Sequence, residues 1–168
     1  ILWLGWFGFN GGSVLSADPS ATSLTLVNTC LAAAAGGMAA FIYSTIRYRN
    51  YDLTMFLNGI LGGLVGITAG ADLMSPTNAI LIGMFAGVII VLSDSLIDKL
   101  RLDDPVGAGA VHLVCGIWGT LAVGFFGSLA GWGQFLSQLT GVGIIGDFCC
   151  LTSFIILDII KKTLGLRM

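Results

Sequence analysis

The sequence predicts an all-α, polytopic membrane protein, and three observations carry that expectation. Of its 168 residues 56% are hydrophobic and only 10% charged, against about 25% charged in soluble domains. Six apolar runs alternate with short polar connectors such as SADPSA, RYRNYD and DKLRLDD. All seven basic residues, Arg47, Arg49, Lys99, Arg101, Lys161, Lys162 and Arg167, lie in alternate connectors or after the last run. That distribution obeys the positive-inside rule and places the C-terminus in the cytoplasm and Asp18 outside.

Each run is justified in turn. Ile1 to Leu15 is too short to cross a hydrocarbon layer of about 30 Å unaided. It opens inside an apolar stretch without an initiator methionine, basic region or cleavage site, so no signal peptide is expected. The chain is instead expected to be the tail portion of a longer polypeptide. Thr22 to Ile46, Leu53 to Ala71, Thr77 to Ile97, Pro105 to Phe126 and Phe135 to Ile160 are the five further spans. The fifth run has a start signal: Asp104 as N-cap and Pro105 as first helical residue. Glycines at helix-face spacing, Gly8 and Gly12, Gly59 and Gly63, Gly62, Gly66 and Gly70, Gly83 and Gly87, read as close helix packing. Gly141, Gly143 and Gly146 match a dinucleotide pattern by letters alone, and lying within a span they bind no nucleotide.

Composition narrows the function. A net charge of −2 carries no sign of a nucleic-acid partner. Cys30, Cys115, Cys149 and Cys150 form no CxxC pair and read as small core residues. With one histidine and no Cys/His cluster, neither a metal nor any other cofactor is expected, and no enzyme is indicated.

Two stretches carry the candidate chemistry. DDPVGAGAVHLVCGIWGTLAVGFFG, Asp103 to Gly127, sets His112, the sole histidine, in an uncharged apolar run. A helix starting at Asp104 puts it about 10 to 12 Å in, near mid-membrane. An ionisable residue there is a functional candidate by default. In WLGWFGFNGGS, Trp6, Phe9, Asn10 and Ser13 fall at i, i+3, i+4 and i+7, one helix face. Aromatic faces attract cations, most strongly where these have shed water. Asp103 and Asp104 read as a helix cap and cytoplasmic-loop anchor, Asp94 and Asp98 as a solvated or paired helix end, and the role of Asp147, within the last span, stays open.

GWFGFNGGS, VNTCLAAAAGG, GGLVGITAGADLMSP, the stretch around His112 and KKTLGLR together resemble the ammonium transporter (Amt/Mep/Rh) family, nearer its Amt branch. The resemblance covers essentially the whole chain. It implies the second half of an eleven-helix fold of two inverted five-helix repeats plus a closing helix, assembled as a homotrimer. It assigns His112 to a pair of pore histidines, Phe9 to a stacked phenylalanine gate and Trp6 to the pore lining. Ser13 becomes the hydroxyl of an outer ammonium-recruiting site. The implied activity is recruitment of ammonium, its deprotonation, and conduction of ammonia, with methylammonium as an analogue. A nitrogen-signalling protein would bind the cytoplasmic face. Two alternatives stand beside transport: an Amt-like sensor module, or a half-pore that is inactive on its own.

Overall fold

A computed structural model describes residues 1–165; Arg167 of the KKTLGLR motif and Met168 lie outside the described residues. Among these, six helices follow one another: α1 (Leu2–Ser13), α2 (Pro19–Tyr48), α3 (Leu53–Thr68), α4 (Pro76–Lys99), α5 (Gly109–Phe125) and α6 (Trp132–Thr163). α2, α4 and α6 are long and apolar enough to cross a bilayer, and α3 and α5 are shorter apolar helices. The chain is an all-α, multi-pass membrane protein.

The starts of α2, α3 and α4 follow ordinary capping chemistry. Asp18 accepts from the Ser20 and Ala21 amides at 3.1 and 3.2 Å, Asp52 from Thr54 and Met55 at 2.8 and 3.1 Å, and Ser75 from Asn78 at 3.2 Å. Each cap satisfies backbone donors that the first turn leaves without partners. Pro19 and Pro76 follow their caps as first helical residues.

α2, α3 and α4 form the core, packed at backbone contact. A Cβ on Gly63 would land on the Ala32 carbonyl of α2, and one on Gly83 or Gly87 of α4 would strike the backbone of Ala32 or Gly36. α5 packs on α3 in the same way, Gly119 lying against the Gly66 backbone. Trp118 ties α5 to α4 by donating its indole N–H to the Ile82 carbonyl at 3.1 Å. Asn28, fully buried on α2, donates to both the Ala71 and Met74 carbonyls at 2.9 and 2.7 Å, securing the turn between α3 and α4. α1 packs on α2 and α3.

α6 stands apart. It packs on α5, with Phe135 against Gly124 and Phe125, and none of its 32 residues is buried.

Some expectations need correction. Pro105 does not open a helix: Asp104 to Gly107 form a turn closed by the Gly107 amide on the Asp104 carbonyl at 3.1 Å. Gly107 sits at φ +70° against Asn58, a left-handed conformation that favours glycine. The helix therefore begins beyond it, which puts His112 about 5 Å from the helix start and not 10 to 12 Å, and its first six residues, Gly109–Val114, coil as a π-helix. The Asp104 carboxylate still caps, accepting from the Gly109 and Ala110 amides at 2.9 and 3.3 Å.

Of the cysteines only Cys115 is in the core; Cys30, Cys149 and Cys150 are exposed on apolar helix surfaces. Gly8 and Gly12 meet no neighbour among the described residues. Of the two readings left for the aspartates at the end of α4, pairing is not seen: Asp98 is exposed, and the one ion pair among the described residues is Asp158 with Lys162 at 2.7 Å. Asp147 is exposed on α6.

Candidate functional site

An open cleft of about 630 Å³ lies between α1, α3 and α5. α1 contributes Leu2, Gly5, Trp6 and Phe9, spaced i, i+3, i+4 and i+7, one face of the helix. α5 contributes His112, Gly116 and Thr120, one turn apart in succession, and α3 contributes Val65, Thr68 and Ala69.

The rings are arranged around Trp6. Its indole lies nearly parallel to the His112 imidazole, the planes 16° apart and the centroids 6.5 Å apart. It meets the Phe9 ring edge-on at 5.9 Å, and Phe9 remains 60% exposed on the open side. The indole N–H donates to the Thr68 hydroxyl oxygen at 2.9 Å, while that hydroxyl donates to the Leu64 carbonyl at 2.7 Å. An N–H that would be costly to leave unpaired in an apolar wall is thereby satisfied.

His112 lines a second cleft too. This one, about 350 Å³, opens between α5 and α6 and is bounded by Gln138, Gly141 and Cys149 among others. The imidazole stands where the two spaces meet, along the His112, Gly116 and Thr120 face of α5 that both share. The π-helical turn that carries it buries Ala110 and Val111 in the core while His112 stays exposed to the clefts. Wide turns of this kind recur at functional sites.

The residues singled out on α1 are divided. Trp6 and Phe9 share the cleft with His112. Asn10 does not; it is buried against α2, donating to the Thr29 hydroxyl oxygen at 3.0 Å. Ser13 lies exposed one turn beyond Phe9, its hydroxyl donating to the Phe9 carbonyl at 2.7 Å. Since α1 ends toward the cation-free connector at Asp18, the order inward from that end is Ser13, Phe9, Trp6, His112. Thr68, Gly116 and Thr120 were not anticipated. The last two stand four and eight residues after His112, a same-face signal visible in the sequence; nothing there paired Thr68 with Trp6.

These features define a class: a multi-pass membrane bundle with an aromatic-walled intramembrane cleft that reaches an imidazole. The particular family follows from comparison with known proteins. The model of the Ammonium Transporter Family matches residues 1–168, and the chain belongs to that family. It is 48% identical to a Synechocystis protein over 92% of this chain and 36% of that one. It is 39% identical to ammonium transporter Amt2 of Archaeoglobus fulgidus, over 99% of this chain and 39% of that one. Among solved structures, a sensor Amt protein superposes with a TM-score of 0.95 at 34% identity, over 99% of this chain and 43% of that chain. Candida albicans Mep2 superposes with a TM-score of 0.93 at 28% identity, over 99% and 41%. The chain thus spans roughly two-fifths of the length of these relatives.

Proposed function

We propose that this chain forms one part of a transmembrane ammonium pathway, which recruits ammonium at an outer mouth, where it gives its proton to solvent water, and conducts the ammonia past His112. The observation that carries this reading is the convergence of Trp6 and Phe9 of α1 with His112 of α5 on a single apolar cleft.

The physical case begins with the ion. A small, strongly hydrated cation costs many kcal/mol to move intact through an apolar passage. Neutral ammonia meets a far smaller barrier. Ser13 sits where a mouth is needed, and because its proton is held by the Phe9 carbonyl, its oxygen is left with lone pairs for an N–H donor. Beside it the exposed face of Phe9 supplies cation–π attraction. Deeper in, beside Trp6, the walls are mostly apolar and the species that passes is ammonia. There the His112 ring nitrogens offer a hydrogen bond that the aliphatic walls lack. The facing wall, with a second pore histidine, would come from residues outside this chain.

The setting completes the reading: a cell membrane, a cytoplasmic C-terminus, a homotrimer of the full-length protein, and a nitrogen-signalling protein on the cytoplasmic face. A second reading, an ammonium sensor, is favoured by the similarity to a structure described as a sensor Amt protein. The two separate on the native gene: a kinase or cyclase domain beyond Met168 supports sensing, a short polar tail transport.

The test of the pathway is His112→Ala in the full-length protein. Ammonium uptake into proteoliposomes should be abolished or changed in selectivity against methylammonium; unchanged rate and selectivity would remove His112 from the route.

A further inference from the structure

Trp6 is held by one polar contact, and that contact is itself anchored. The Thr68 hydroxyl gives its proton to the Leu64 carbonyl one turn back on α3, a bond that fixes the hydroxyl's rotamer and directs a lone pair at the indole N–H. The indole in turn faces the imidazole on one side and the Phe9 edge on another. Its orientation determines how the ring flanks the cleft beside His112. Three helices therefore meet at one side-chain angle: α3 supplies the clamp, α1 the ring, and α5 the group against which the ring is measured.

We propose that Thr68 is a positioning residue that sets substrate size selectivity, by clamping the Trp6 indole parallel to His112 so that the cleft admits ammonia and resists its methylated analogue. The proposal rests on the transport reading above. Thr68 also lines the cleft, but its hydroxyl is committed to the Trp6 indole and the Leu64 carbonyl, so its effect on selectivity runs through Trp6. Without the clamp the indole gains orientations, the aperture fluctuates, and a bulkier amine passes more readily.

The experiment uses the full-length protein in proteoliposomes with ammonium and methylammonium as the probes. Thr68→Val keeps the shape of the side chain and removes the acceptor. It should raise the ratio of methylammonium to ammonium uptake about three- to tenfold, the factor expected from losing one hydrogen bond. Thr68→Ser, which retains a hydroxyl able to bond the same carbonyl, should stay near the wild-type ratio. Trp6→Phe removes the donor instead, and Thr68→Val added to it should change nothing further.

A readout independent of transport is the ultraviolet resonance Raman band that reports indole N–H hydrogen bonding, isolated as wild type minus Trp6→Phe. In Thr68→Val it should move to the position of an unbonded indole. An unchanged uptake ratio in folded Thr68→Val, or an equal change in the Trp6→Phe background, overturns the proposal. If wild type takes up no ammonium, the transport reading itself falls, and the Raman band alone then decides whether Thr68 holds the indole.

Discussion

Asn28 shows how one side chain can secure a bundle. Its amide nitrogen donates to two carbonyls where α3 ends and the chain turns toward α4, in a site with no exposure. Replacing it with alanine leaves two buried acceptors without partners, and each such group costs about 1–3 kcal/mol. Asn28→Ala should lower the full-length protein's stability by about 2 kcal/mol or more, read as a loss of thermal midpoint in detergent. A midpoint within a degree of wild type would show that the turn stands without it. Asp104 and Pro105 teach the opposite lesson about legibility. Asp-Pro suits a helix start, but Asp-Pro-x-Gly equally suits a β-turn, with proline at its second position and glycine at its fourth. Gly107 at φ +70° decides for the turn, and the Asp104 carboxylate reaches across it to cap the helix beyond. The carboxylate's role was legible from the residue type; the proline's was not, because both readings satisfy the same letters.

At the scale of helices, the glycines follow a gradient that spacing alone does not reveal. Gly63 leaves no room for a methyl group before the Ala32 carbonyl, whereas a Cβ on Gly66 would sit 3.3 Å from the Ala86 methyl. Gly63→Ala should therefore destabilise by about 1–3 kcal/mol, the range for overpacking, and Gly66→Ala by clearly less. Equal losses in thermal unfolding would mean that α2 and α3 separate freely enough to absorb the methyl. The stripe on α1 shows the same limit. Residues at i, i+3, i+4 and i+7 share a face roughly 100° wide, and a face that wide can touch two neighbours. Trp6 and Phe9 turn to α3 and α5 while Asn10 turns to α2, a division set by where the partners stand.

The whole molecule is ordered by sidedness. α2 and α4 run in parallel, their C-terminal ends joined by the Tyr48–Ser95 hydrogen bond. The cations Arg47, Arg49, Lys99 and Arg101 gather at that end, opposite the connectors at Asp18 and Asp72. In intact cells a membrane-impermeant maleimide should label Ser16→Cys and leave Arg101→Cys unreacted until the membrane is opened. The reverse pattern would invert the proposed topology. The 168 residues alone should give no saturable ammonium uptake in liposomes, since the cleft at Trp6 and Phe9 is open-sided and α6 buries none of its residues. Saturable uptake by that piece would refute the need for a second wall. The class of fold, the number of helices and the gathering of cations at one end follow from composition and periodicity, because a bilayer imposes length, apolarity and charge placement on each segment separately. The meeting of Trp6, Thr68 and His112 does not follow from them, since it depends on how closely glycine-lined helices approach and on which side chain of three distant segments fills the space between.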